Sequence, residues 1–476
     1  MRITVPFVGG HSQGDSLELR SMLCDNMYPE MSSAGSKAAV SLRKIPGLTT
    51  LETMAAGFGR GNGAVFETTG EGLLVIGDTL YSIDQYSNVS EAGKLLTTTG
   101  PVSIAAGRTE VGICDGEYLY KYDGTNLTVI ASPPFGKAWF IVWTGSYFIV
   151  AKRDTDQFYV TLNPDDLTTF DALRFATAEG QPDKLYTPVP LGGFLILLGD
   201  VTAEIYAHTG DVDFPFERIP GGVIDWGIQA PWSLAKNDYS LYWLAKNEAG
   251  GNTVLQANLA GAVKRISPPD IEQEIEKFAV ANDATAFIYR QGGHEFYQLT
   301  FPAADKTFCY DISSGHWHTR SAADGGRHEA AGYLYFNSRH FVTKHDTSEI
   351  AWFDRENHTP RWKRRFQVVH HQNRFIRFKR LEQDFEHGTA LKDGPAGAPV
   401  QGSDPVMMLG QSNDGGNNWL DRELWRKMGR RGDYKKRCVW SGINLPAARN
   451  KVFELSGSDP IKTVLYNTYV SLEVPS

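Results

Sequence analysis

The chain has 476 residues, 41% hydrophobic and 21% charged, with 48 glycines, 20 tyrosines, 11 tryptophans and a net charge of −8 at pH 7. That length gives room for two or three domains, and the mix favours strands and tight turns over long helices, because aromatic side chains suit a pleated surface and glycine suits turns. The acidic balance argues against gripping nucleic acid over the whole surface, which takes many phosphate-neutralising Lys and Arg, and no apolar run nears the roughly 20 residues of a membrane span.

The N-terminal segment, residues 1–44, opens with Met1-Arg2-Ile3-Thr4-Val5-Pro6 and shows no secretory signal. From residue 45 to 350 a strand-and-turn unit recurs: Gly77 to Asp84, Gly116 to Gly124, Gly145 to Thr161, Gly192 to Tyr206, Tyr239 to Asn247, Gly293 to Phe301 and Gly332 to Asp346. Each unit starts at a turn residue and alternates apolar and aromatic positions, and most then turn back as a hairpin. A spacing of roughly 30–55 residues is that of four-stranded propeller blades. The expected fold is therefore all-β, a degenerate β-propeller of six or seven blades, the alternative being ordinary hairpins in sandwiches. Blades set round an axis cover faces that one small sheet leaves open. One segment breaks the pattern: Ser267-Pro268-Pro269-Asp270 leads into Ile271, Ile275 and Phe278 at helical spacing, which predicts a short amphipathic helix between blades.

From about Asp354 the character changes, and residues 351–476 read as an additional β-sandwich-like domain. Arg361, Arg364, Arg365, Arg374 and Arg377 are interleaved with Trp362, Phe366, Phe375 and Phe378; a Gly/Pro/Ala-rich stretch, Gly388 to Gly402, reads as a loop. A second basic patch holds Arg422, Arg426, Arg430 and Lys435. The acidic excess thus belongs to the propeller, and the C-terminal third is cationic. Arginines beside aromatics suit phosphates and stacked bases, or the buried centre of a protein interface. The alternation through Arg374-Phe375-Ile376-Arg377 favours an interface strand. The candidate interface residues are Arg361, Trp362, Arg364, Arg365, Arg374, Phe375, Arg377, Arg426, Arg430 and Lys435.

The sequence contains no phosphate-binding loop, no G-x-S-x-G elbow and no H-E-x-x-H helix, so neither an enzyme nor a cofactor is expected. His316, His318, His370 and His371 read as surface or packing residues and no metal is assigned. Cys24, Cys114, Cys309 and Cys438 are far apart and read as buried free thiols. Ser412-Asn413-Asp414-Gly415-Gly416-Asn417-Asn418-Trp419 resembles the Asp-box of sialidases and related propellers, with Asn418 for threonine. In that device Ser412 and Asp414 bond turn amides, Gly416 takes positive φ and Trp419 packs over the turn; it shapes a hairpin and catalyses nothing.

Asp25-Asn26-Met27-Tyr28-Pro29-Glu30, Ile45-Pro46-Gly47-Leu48-Thr49, Ala106-Gly107-Arg108-Thr109, Tyr120 to Gly124 and Glu179-Gly180-Gln181-Pro182-Asp183 follow one another in order. Together with Gly293 to His318 and the run from Ser412 through Trp440 to Glu473, they resemble the tail-hub or tail-nozzle proteins of short-tailed, Salmonella-type bacteriophages, the packaged-DNA stabilization and tail accessory family. The resemblance spans nearly the whole chain. It implies a homohexameric ring in the short tail of a virion, assembled in the bacterial cytoplasm. The ring would lie beneath the portal-adaptor (head-to-tail connector) ring, extend the channel for viral double-stranded DNA, and seat a tail needle or plug and tailspikes or fibres. The alternative reading, on the Asp-box and the tryptophans, is a carbohydrate-binding or glycoside-cleaving propeller.

Overall fold

The computed structural model describes residues 2–5, 9–33, 35–178, 183–259, 261–421, 424–442 and 446–473. Arg422 and the 179–182 part of the Glu179–Asp183 motif lie outside the described residues.

Among the described residues the chain builds seven blades. Blades 1 to 4 are four-stranded antiparallel meanders over residues 64–94, 103–129, 138–177 and 185–224, each formed by four consecutive strands. Blade 5 spans 227–265, its innermost position shared by two short strands, Gly227–Ile228 and Ala235–Lys236, on either side of a 3₁₀ turn at Pro231–Ser233. The predicted helix follows at Pro269–Glu276, with Ile271 and Ile275 buried and proline in its first turn, where its missing N–H costs nothing. Blade 6 spans 285–320. Blade 7 takes three strands from 330–354 and its outermost strand, Gly47–Thr53, from near the N-terminus. That pairing stitches the two ends of the circle together.

Alternation along each strand sends apolar side chains to both faces of a blade, where the neighbouring blades cover them. The result is a cycle of interblade cores. Leu73 and Val75 of blade 1 pack with Val111 and Tyr120 of blade 2. The cycle continues through each junction until Leu74 and Ile76 of blade 1 meet Leu334 and Phe341 of blade 7. Each such side chain, removed from water, contributes about 1.5–3 kcal/mol, so the closed ring lacks the exposed first and last faces that an open array would leave.

The C-terminal part is a sandwich whose sheets also take strands from the first 44 residues. One sheet orders Cys438–Ser441, Arg377–Phe385, Val464–Glu473, Val40–Lys44 and Met27–Met31, with Arg2–Val5 alongside Val464–Glu473. The other orders Ser21–Asp25, Trp362–Arg365, Val452–Gly457, Val406–Ser412 and Leu424–Lys427. A common core of Met27, Leu42, Trp362, Phe366, Leu381, Phe453 and Leu465 lies between them. We call this unit the platform. Its second sheet does not stop at Ser21–Asp25: that strand also pairs, in parallel, with the outermost strand of blade 6, His316–Arg320. Propeller and platform therefore share one continuous ten-stranded sheet.

Candidate assembly surface

The joint between the two units is made by the N-terminal strand and is dense in buried polar groups. Thr319 and Ser321 of blade 6 donate to the two oxygens of Asp25 at 2.8 and 2.7 Å. Next to it Asn26 sits at φ +54, a left-handed conformation that Asn tolerates better than most residues. Its side chain donates to the carbonyls of Ser321 and Arg361 and accepts from the Ser321 N–H. Tyr28 lies edge-on to Phe296 of blade 6, with centroids 5.2 Å apart. The Asp25–Glu30 motif is thus the hinge-pin of the joint, a role that no local pattern in the sequence discloses. Further along, His11 pairs with Glu274, while Arg20 and Ser12 both reach Asp270, tying the arm to the interblade helix. Lys44 donates to the carbonyls of His358, Asp459 and Ile461, and burial pushes its ammonium down to about 7.

The residues read from sequence as one interface separate into three groups. Trp362 and Arg364 are 2% and 0% exposed inside the subunit, so they are not surface for a partner. The Arg364 guanidinium lies against the carbonyls of Gly10 and Leu23 and the sulfur of Met22, and burial lowers its pKa. This corrects the sequence reading. In Arg361-Trp362-Lys363-Arg364-Arg365-Phe366, side chains two apart share a strand face, and Trp362, Arg364 and Phe366 all face inward. Arg361 belongs to the joint as well: its carbonyl accepts from Asn26, and its Nε is buried without a partner among the described residues.

Arg365 and Arg426 are half-buried and serve the platform itself. Arg365 donates to the Glu454 carboxylate through Nε and Nη2, at 2.9 and 2.8 Å, while its guanidinium covers the Trp419 ring at 4.6 Å. Arg426 donates to the carbonyls of Val439 and Trp425.

Arg374, Phe375, Arg377, Arg430 and Lys435 are exposed and form the third group. Arg449 lies over the Phe375 ring at 4.7 Å, Arg377 stands 4.0 Å from Glu473, and Arg430 stands 3.8 Å from Asp393. Near the last of these, Trp425 and Tyr434 are 56% and 71% exposed, adding large aromatic faces to the cationic loop. Sequence reasoning passed over both; their proximity to Arg430 and Lys435 in the chain was the available signal. Weakly paired cations beside exposed aromatic rings are what protein interfaces select.

The turn at Ser412–Trp419 is a closed hydrogen-bonded unit. The Ser412 hydroxyl donates to Asp414 and accepts from the Gly416 N–H at 2.9 Å; Asp414 also accepts from the Asn418 backbone at 2.9 Å and from its side chain at 2.6 Å. Gly415 and Gly416 take φ of +75 and +104, and Ser412 bridges to Trp419. Burial would raise the Asp414 pKa, but the bonds from Asn418 and Ser412 hold it below the usual carboxylate range. The Ser412 hydroxyl and both Asp414 oxygens are used in shaping the loop. Among the histidines, His318 is fully buried, and burial together with Arg320 drives its pKa well below the ordinary value, while His370 and His371 are exposed.

On the propeller axis a cavity of about 500 Å³ is lined by residues from all seven blades, among them Val65, Ala105, Ile141, Val189, Leu234, Ile288 and Leu334. Among the described residues Lys236 is the only charged one in its wall, its Nζ donating to the Pro190 carbonyl at 2.6 Å. A duplex whose grooves alone are about 12 and 6 Å wide does not fit such a cavity.

No curated protein matches the chain. Two solved structures to which it is similar are the β-propeller domain of Myceliophteria thermophila Cps50 (Swd1), at 12% identity over 65% of this chain and 100% of that one with a TM-score of 0.41, and the Neurospora crassa Pan2 WD40 domain, at 9% identity over 68% and 96% with a TM-score of 0.43. A phage-stabilising family described as "Bacteriophage P22 Gp10, beta-propeller" matches residues 3–358, which take in the whole propeller and the N-terminal strands of the joint, and the chain belongs to that family.

Proposed function

We propose that the chain is a non-enzymatic structural subunit of a short phage tail, acting as a ring-forming hub or nozzle that continues the portal-adaptor channel and retains packaged DNA. The family match along residues 3–358 carries this reading. A homohexamer is a ring of head-to-tail contacts closed by rotation, and repeated contacts of this kind suit a subunit whose two units are fused by a shared sheet. Because the propeller axis is narrow and apolar, the DNA path runs between subunits along the ring axis, bordered by acidic propeller surface that repels phosphate. The exposed cations of the platform dock against acidic partners: the adaptor ring, the tail needle or plug, and tailspikes or fibres. The subunit is then virion-borne and assembled in the host cytoplasm.

The test is genetic. Particles made without this subunit should package DNA and then lose it, and the purified chain added afterwards should restore retention. Stable DNA-filled particles in its absence would overturn the proposal. The carbohydrate-cleaving alternative loses its main support, since the single Asp-box lies in the platform with its side chains committed to the turn.

A further inference from the structure

A cleft of the propeller adjoins the axial cavity, with which it shares Pro231 and Trp232 as wall. Loops of blades 3, 4 and 5 and the segment before blade 6 enclose about 720 Å³ there. That is the size of a small-molecule site. Trp139, Tyr186 and Trp232 supply its aromatic wall, and Gln229, Asn252 and Asn282 supply amides.

The wall is fixed before any ligand arrives. Trp232 sits on the 3₁₀ turn whose last residue, Ser233, is fully buried and bonded through its hydroxyl to the Ala230 carbonyl and the Leu244 N–H, and through its carbonyl to the Tyr297 hydroxyl. The Trp232 ring is backed by Phe140 at 4.1 Å, and that of Trp139 by the Arg153 guanidinium at 4.4 Å. Gln229 and Asn252 are locked as a pair: Gln229 Nε2 donates to Asn252 Oδ1 at 2.8 Å, and the Asn252 N–H donates to Gln229 Oε1 at 2.6 Å. Asn252 is thereby held at φ +65. The indole N–H of Trp139 is buried without a partner among the described residues, and the part-exposed Asn252 amide keeps its N–H groups outside the pair with Gln229.

The electrostatics disfavour an anionic ligand. Lys246 and Asp200 pair at 2.6 Å, and Glu248 adds a carboxylate to the same wall. Rigid aromatic faces, side-chain amides and the Glu248 carboxylate match the chemistry of sugars, which present C–H faces for stacking and rings of hydroxyls for hydrogen bonding. We infer that the cleft at Trp139, Trp232 and Asn252 binds a neutral oligosaccharide, roughly two or three sugar rings long by its volume. Preorganisation of the walls lowers the entropy a ligand must surrender.

The experiment uses the whole purified chain on an array of neutral and charged bacterial surface oligosaccharides, followed by calorimetric titration of the best neutral binder. Trp232→Ala and Asn252→Ala should each weaken that binding by about tenfold or more, equivalent to about 1.4 kcal/mol. Leu173→Ser, a change at an exposed position on the outermost strand of blade 3, should leave it unaltered, and circular dichroism should show all three variants folded. The inference is overturned if the folded wild-type chain binds no neutral saccharide, if it prefers charged glycans, or if both cleft variants bind as well as wild type.

Discussion

The propeller and the platform are built from the same kind of strand but hold together differently. Six of the seven blades are built from consecutive strands, closed by apolar cores at each junction, and even the stitched blade 7 needs only one distant strand. The platform draws its strands from both ends of the chain, with pairings such as Leu23 with Arg365 and Val5 with Thr468. Buried cations do not separate the two units: Arg364, Lys44 and Lys451 lie in the platform, and Arg60, Arg174 and Arg320 in the propeller. Local assembly gives a stiff repeat that tolerates drift in sequence. Non-local assembly gives a unit whose stability hangs on a few specific contacts, since each long-range pairing must first meet the entropy of closing a long loop.

The most severe way to test that contrast is to delete residues 2–31. Four strands, Arg2–Val5, Ser12–Gln13, Ser21–Asp25 and Met27–Met31, disappear together with the joint, while every strand of the seven blades remains. Limited proteolysis should digest the platform and leave a resistant fragment beginning near residue 45; a uniformly resistant or uniformly digested chain would show that the two units are not separable in this way.

Arg364→Ala comes next. Removing a fully buried cation leaves carbonyls and a cavity behind, with an expected loss of about 3–5 kcal/mol in denaturant unfolding. Asp414→Ala should cost less, about 1–3 kcal/mol, because it releases the Ser412 hydroxyl and the Asn418 N–H on the platform edge. Smallest in stability should be Arg430→Glu with Lys435→Glu, within about 0.5 kcal/mol of wild type because both residues are exposed. The same pair should nonetheless impair incorporation into tails, scored by particle assembly.

A pH series sharpens the comparison from another side. The Lys44 pKa falls from 10.5 unfolded to about 7 folded, so between those values the unfolded state binds more protons and stability rises with pH. Between pH 7 and 8.5, wild type should gain stability relative to Lys44→Met, measured by denaturant midpoints; parallel curves would remove Lys44 from the account.

What could be read from sequence follows the same division. The blades were legible because turn, alternation and hairpin lie within one window, as did the helix at Pro269–Glu276. The joint was not, because Asp25 and Asn26 find their partners almost 300 residues away, at Thr319 and Ser321. The basic-aromatic run misled by composition: Arg364 reads as surface until the two-residue period places it on the face of Trp362 and Phe366. By contrast, the bonds of Ser412 and Asp414 that shape the Ser412–Trp419 turn could be read from sequence, since their partners lie within eight residues.

Electron microscopy of the purified chain, alone and bound to tails that lack it, tests the central claim most directly. The account predicts a closed sixfold ring with an open axis between subunits, an acidic propeller surface toward that axis and platform cations against neighbouring tail proteins. A monomer that never adds to the tail, or a ring whose axis is lined by the platform's cations, would contradict it.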